Sequence, residues 1–330
     1  MANLFSTLAV KGMSLRNRIV MPPMASETST TDGFPTESTI DYYQRCARGG
    51  VGLIIVEHSY VTKSGRRTAK QVGIWSDEHI APMASIVKAA HALGVPVCIQ
   101  ITHAGSAASA EVIGQPPVGP SPIPLAPGKD TPVELDVAAI HEIIAAFASA
   151  AARAKAAGFD AVELHGAHGY LLNQFLSPIT NVRTDEYGGS PERRLRLPLE
   201  VVEAARRAVG PDMVLFYRLG ASDGVPGGLT AEDAKFAAPR LIKAGIDVID
   251  ISGGLAGSGR DKSLGEGYFA PLSQEVKGVV NVPVMATGGI TTPSFADSLI
   301  REGKADLVGI GRALLADPDW PIRAKRALTV

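Results

Sequence analysis

His165 and His168 stand in the run Glu163-Leu164-His165-Gly166-Ala167-His168-Gly169-Tyr170. Two imidazoles at this spacing can bind a metal, pass protons or donate hydrogen bonds to a negatively charged oxygen. A metal site wants a third ligand. His103 and Glu163 are the candidates, but nothing is spaced like HExxH, so the expectation is no metal. A lone histidine is more often structural. A pair followed by the phenol of Tyr170 favours a catalytic role. Glu163 lies inside an apolar run, where a carboxylate must be paired or hydrogen-bonded. Arg218, on the next apolar run, is its expected partner and is also close enough to a strand end to support a ligand.

Two glycine clusters offer a second kind of chemistry. Thr287-Gly288-Gly289 and Gly309-Ile310-Gly311-Arg312 each follow a short apolar run. Glycines let backbone N–H groups come close to an anion, and Arg312 adds a positive charge. Either cluster alone reads equally well as a tight turn. Two of them after consecutive runs favour a phosphorylated ligand.

These groups need a scaffold that brings them together. Short apolar runs alternate with helical patterns along the whole chain. The runs are 18–21, 52–56, 97–101, 161–164, 214–218, 247–251, 284–286 and 307–310. Between them, helices are expected over 36–47 with Thr36 as N-cap, 77–93, 137–157, 193–209, after the cap Thr230, and 294–302. Eight buried-type strands alternating with helices make an α/β fold, a (β/α)8 TIM barrel. A doubly wound open sheet is the runner-up, but no GxGxxG follows any of the first runs. Catalytic groups of such barrels sit at the C-terminal ends of the strands. That is where both histidines and both glycine clusters fall. No linker divides the chain, so residues 1–330 are expected to form a single domain. The proline- and glycine-rich stretch 106–132 reads as a long loop carrying at most a small hairpin.

Composition removes several function classes. Lys and Arg number 32 against 33 Asp and Glu, a net charge of −1, so no broad basic field exists to attract nucleic acid or an anionic membrane. Cys46 and Cys98 are the only cysteines, and no CxxC occurs, which excludes a disulfide framework and an internal iron–sulfur site. The apolar runs are strand-length, too short to cross a bilayer. The start of the chain lacks the basic and long apolar segments of a signal peptide. A cytoplasmic enzyme acting on a small molecule is expected, with a homo-oligomer left open.

The stretch from His165 through Leu172, Asn173, Gln174 and Pro178, continuing through Asn181 and Arg183 to Gly189, resembles the old yellow enzyme family of FMN oxidoreductases. Asn17-Arg18-Ile19-Val20-Met21, Gln100 with His103-Ala104-Gly105, Gly227-Gly228-Leu229-Thr230 and Gly309-Ile310-Gly311-Arg312 extend the likeness from Leu4 to Trp320. The resemblance implies FMN held noncovalently at the barrel mouth and NADH or NADPH as hydride donor. Pro22, Pro23, Met24 and Ala25 match the segment along the flavin edge, and His58 matches a position whose backbone contacts the ring. Gln100 matches a side chain on the pyrimidine half. Arg218 matches the arginine near N1 and the C2 carbonyl, where positive charge favours the reduced anionic ring. Gly288, Gly289, Gly311 and Arg312 match the phosphate cradle. His165 and His168 match the pair on the substrate's activating oxygen, and Tyr170 a proton donor.

Three positions depart from the family pattern. Ala25 stands where several ene-reductases have Cys or Thr, Glu27 where one subgroup has a substrate-contacting Tyr, and His58 where Ala is usual. The cysteine cluster and added domains of the larger dienoyl-CoA reductase and trimethylamine dehydrogenase relatives are not in this sequence. The implied activity is FMN-dependent NAD(P)H reduction of activated C=C bonds in α,β-unsaturated carbonyl compounds. An amine dehydrogenase or demethylase is the alternative within oxidoreductases. A phosphate-binding isomerase or aldolase is the alternative outside them, although no apolar run ends in the lysine that Schiff-base chemistry needs.

Overall fold

Each of the eight apolar runs forms a strand. In the computed structural model, which describes residues 2–257 and 265–329, they close into a parallel barrel. The barrel strands are β1 (Ile19–Met21), β2 (Leu53–Tyr60), β3 (Val97–Thr102), β4 (Ala161–Gly166), β5 (Val214–Gly220), β6 (Val248–Ser252), β7 (Val284–Ala286) and β8 (Leu307–Gly309). Neighbours in sequence are neighbours in space, and β8 pairs with β1 to close the ring. Helices cross between strands on the outside, as parallel pairing requires.

The strand period of two explains the barrel's interior. Val20, Leu53, Cys98, Ala161, Val214, Phe216, Val248, Met285 and Leu307 pack together as its apolar floor. One step further along the same inward-facing columns stand Gln100, Glu163, Arg218 and Asp250, all buried. The interior therefore turns from apolar to polar toward the C-terminal mouth. An antiparallel hairpin, Leu8–Val10 with Met13–Leu15, packs Val10, Met13 and Leu15 onto the floor and stoppers the other end.

Local chemistry sets the helix starts. Thr36 caps Glu37–Arg48 with a capping box through Thr39. Asp136 caps Val137–Ala156 through the Ala139 N–H. Thr230 forms a capping box with Asp233. The helix Val137–Ala156 is long and apolar enough to cross a membrane by length and composition, unlike the strand-length runs. Its Ile140, Ile143, Phe147, Ala150 and Ala154 are buried in the main core.

The stretch 106–132 is a long loop without a hairpin, within the expectation, and Val118–Gly119 pairs in parallel with Val133–Glu134. Two expectations need correction. The expected helix 77–93 is a 3-10 turn, Asp77–His79, followed by Ile80–His91. The expected helix 193–209 is two pieces, Pro191–Arg194 and Arg196–Val209.

Candidate active site

His165 lies inside β4, in register with Arg218 on β5. After β4 the chain turns through His168 at φ 59° and Gly169 at φ 69°. Such a left-handed turn is costly for a residue with a side chain and persists only when its surroundings hold it. Here the His168 N–H donates to the Gly253 carbonyl (3.0 Å). The turn folds the His168 ring back against that of His165, with centroids 4.9 Å apart and edge to face. The Tyr170 ring lies 4.8 Å from that of His165 and 5.8 Å from that of His58.

Hydrogen bonds orient both rings and assign the proton of His165. His165 Nδ1 accepts from the Ala167 N–H (3.3 Å), which leaves the proton on Nε2. Arg218 Nη2 donates to Ser252 Oγ (3.4 Å), and that hydroxyl faces His168 Nε2 at 2.7 Å. Arg218 can only donate, so Ser252 Oγ accepts from it while holding the His168 ring through Nε2. Burial holds the His165 imidazole well below its usual range, helped by His168, Arg218 and His58. His165 is therefore a neutral N–H donor at physiological pH. Burial raises the Tyr170 phenol above its usual value, so it keeps its proton.

Two adjoining cavities open at this end of the barrel. The smaller, about 100 Å3, is lined by Pro22, Met24, Arg218, Gly288, Gly289, Gly311 and Arg312 among others. The larger, about 860 Å3, is lined by Pro23, Met24, Ala25, His58, His168, Tyr170 and Arg218 among others. Met24 and Arg218 line both. His165 is 2% exposed and lies behind His168 and Tyr170 rather than on the lining. Gln100 is buried beneath, donating to Glu163 Oε1 (2.8 Å). Glu27 lines neither cavity: at φ 53° it turns its carboxylate to the Thr68 hydroxyl, at 2.8 and 2.9 Å.

The glycine clusters form a cradle that side chains would fill. Gly288 and Gly289 have φ of 100° and 70°, and a Cβ on either would stand 2.7 or 2.6 Å from the Tyr268 ring. A Cβ on Gly311 would stand 3.0 Å from Met24 Sδ. Arg312 Nη2 donates to the Tyr268 hydroxyl (3.1 Å), so the guanidinium stands at the same cradle. An anion the size of phosphate fits there, and the larger cavity has room for a flat ring system with a small molecule above it. These residues fit FMN.

Several supporting residues lie outside the motifs. Glu57 accepts from the Ser26 N–H (3.0 Å), the Ser26 hydroxyl (2.7 Å) and the Tyr43 hydroxyl (2.9 Å), pinning the loop that presents Ala25. A register shift in β2 between Val56 and Ser59 lets Glu57 and His58 face different surroundings. Gln71 Nε2 meets both Nδ1 (2.9 Å) and the carbonyl (2.6 Å) of His58, and burial holds that imidazole below its usual range. Ser252, Gln71 and Tyr268 carry no motif of their own, and only their position beside a histidine or glycine cluster reveals them.

The expected Arg218–Glu163 pair is corrected. Arg218 Nε lies 3.2 Å from Asp250 Oδ2, because β5 and β6 set Arg218 level with Asp250 while Glu163 is level with Phe216. Burial raises both carboxyls above their usual range, and the charge of Asp250 raises Glu163 further, with Arg218 opposing. Among the described residues no three His, Cys, Asp or Glu side chains gather as metal ligands. His103 instead accepts the Gly105 N–H on Nδ1 (3.0 Å).

Comparison with known proteins agrees with this geometry. Residues 3–330 match the NADH:flavin oxidoreductase / NADH oxidase family. The chain is 44% identical over 329 residues to an NADH oxidase of Thermoanaerobacter brockii, covering 98% of this chain but only 50% of that protein. It is 41% identical over 326 residues to an NADPH dehydrogenase of a Geobacillus species, covering 98% of this chain and 94% of that one. The structure of morphinone reductase in complex with tetrahydroNAD superposes with a TM-score of 0.86 at 29% identity, covering 99% of this chain and 91% of that one. The chain belongs to the NADH:flavin oxidoreductase / NADH oxidase family, that of the old yellow enzymes, and is an FMN-dependent NAD(P)H oxidoreductase.

Proposed function

We propose that this chain reduces the C=C bond of α,β-unsaturated carbonyl compounds. The observation that carries the reading is the histidine pair: two edge-to-face imidazoles, His165 with its proton on Nε2 and His168 held by Ser252, beside a cavity of about 860 Å3. Bound FMN would supply the hydride-transfer chemistry that links NADH or NADPH to the β carbon of the substrate. Gly288, Gly289, Gly311 and Arg312, with Pro22 and Met24 alongside, hold its phosphate. Pro23, Met24, Ala25, His58, Gln100 and Arg218 surround its ring. His165 and His168 donate to the substrate carbonyl oxygen and stabilise the charge that develops there. Tyr170, kept protonated by burial, supplies the proton to the α carbon. Ser252 holds the His168 ring through its hydroxyl, and Glu27 is held against Thr68.

The test is anaerobic. FMN-loaded protein is reduced with NADH or NADPH and mixed with 2-cyclohexenone while flavin absorbance is followed. Rapid reoxidation with release of the saturated ketone supports the reading. Protein that reoxidises with oxygen but not with a panel of enones refutes it.

A further inference from the structure

Glu163 and Asp250 stand inside the barrel with both side chains fully buried, between the apolar floor and the mouth. Their hydrogen bonds are incomplete in a specific way. Gln100 donates to Glu163 Oε1, and Arg218 Nε forms an ion pair with Asp250 Oδ2 at 3.2 Å without hydrogen-bond geometry. Glu163 Oε2 and both Asp250 carboxyl oxygens have no hydrogen-bond donor among the described residues. A buried carboxylate oxygen without a donor is costly. One proton on Glu163 Oε2, donated to an Asp250 oxygen, serves one such atom on each residue, and the Arg218 charge lies against Asp250.

Charge leads to the same count. Two carboxylates facing each other away from water do not both ionise. Two neutral carboxyls would leave the Arg218 guanidinium, itself buried, without a counter-charge. A single proton gives the pair one negative charge, matching Arg218. No other neighbour supplies it: burial and both carboxyls keep the Cys98 thiol protonated on β3, and His165 on β4 is neutral. Met285 on β7 and Thr287 just after it do not titrate.

We propose that Glu163 and Asp250 share one proton and act as a positioning pair that neutralises Arg218 and holds it, with Gln100, at the edge of the ring site. The proton count stands on the buried, donor-less carboxyl oxygens and the single guanidinium beside them. Its effect on the cofactor rests on the placement of Arg218 beside the ring in the proposed function. With the shared proton in place the trio is neutral. Losing that proton puts a net negative charge under the ring and opposes reduction; removing the remaining negative charge leaves Arg218 uncompensated and favours it.

Two measurements test this. Infrared spectra of apo and FMN-loaded wild-type protein should show a protonated-carboxyl C=O band that shifts on H/D exchange and is absent from Glu163→Gln. The second measurement is the flavin midpoint potential at neutral pH. Glu163→Gln keeps an acceptor for Gln100 and a donor for Asp250, so its potential should match wild type. Glu163→Gln with Asp250→Asn should favour the reduced form at least tenfold, about 30 mV for a two-electron couple. Absence of the band in wild type overturns the shared proton whatever the potentials. A band present with unmoved potential in the double variant upholds the proton but overturns the effect on the cofactor, and with it the placement of Arg218 at the ring. Glu163→Gln shifting the potential as far as the double variant overturns the charge count. Should the double variant not fold, the wild-type band decides.

Discussion

Removing either imidazole of the pair should slow one half-reaction and spare the rest. His165→Ala and His168→Ala each delete one donor aimed at the substrate oxygen. Such a donor is typically worth about 2.7–4 kcal/mol in the transition state, roughly a hundred- to a thousandfold in rate. The ring centroids are 4.9 Å apart, close enough for both to serve one oxygen. The double variant should therefore lose less than the product of the single losses. His168→Asn keeps an N–H donor at the shorter reach and should recover part of the rate. Because burial holds His165 well below its usual range, it donates as neutral imidazole, and reoxidation should be flat between about pH 6 and 8. Stopped-flow measurement of both half-reactions reads each expectation, with FMN content measured alongside. Wild-type reoxidation by an enone in two FMN-replete alanine variants would refute the role. A rate that follows a titration near pH 6.5 would refute the neutral-donor argument.

Gly289→Asp places a Cβ 2.6 Å from Tyr268 on a left-handed backbone and adds a negative charge at the cradle; FMN Kd should rise at least about tenfold, and an unchanged Kd would count against the phosphate assignment. Ala25 lines the larger cavity and has no side-chain donor, so Ala25→Cys and Ala25→Thr should shift the flavin midpoint potential with FMN still bound; equal potentials in all three proteins would remove this position from the tuning residues. Burial lowers the His103 imidazole from 6.5 to about 4, so the unfolded chain takes up its proton before the folded one does. Stability is then full above about pH 6.5 and is lost toward pH 4 at about 1.4 kcal/mol per pH unit. His103→Asn should flatten that acid limb in denaturant titrations, and an equally steep limb in both proteins would show that other groups cause it.

The barrel is legible because parallel strands covered by helices are apolar on both faces, and runs such as 52–56 and 161–164 stand out on that ground alone. Their ends are less legible. β4 runs on to Gly166, so His165 is a strand residue rather than one just beyond the strand. The stoppering hairpin has strands of three residues, too short for alternation to show. The clusters at 165–170, 288–289 and 309–312 are compact in sequence and are brought to one end of the barrel together. Partners supplied by other strands are not readable in this way. Whether Arg218 meets Glu163 or Asp250 depends on the stagger between neighbouring strands, and stagger leaves no trace in either strand's own sequence. Ser252 falls at a strand end, where site residues are expected, but its pairing with His168, 84 residues away, is not readable, and Gln71 and Tyr268 lie outside the strand ends altogether.

The most direct test of the central claim follows the hydride itself. NADH or NADPH deuterated at the transferring C4 position is supplied anaerobically to FMN-loaded protein with an enone in ordinary water. The saturated product is then examined by NMR. The account predicts deuterium on the β carbon and hydrogen from solvent on the α carbon. Unreduced enone, or deuterium on the α carbon, would contradict it.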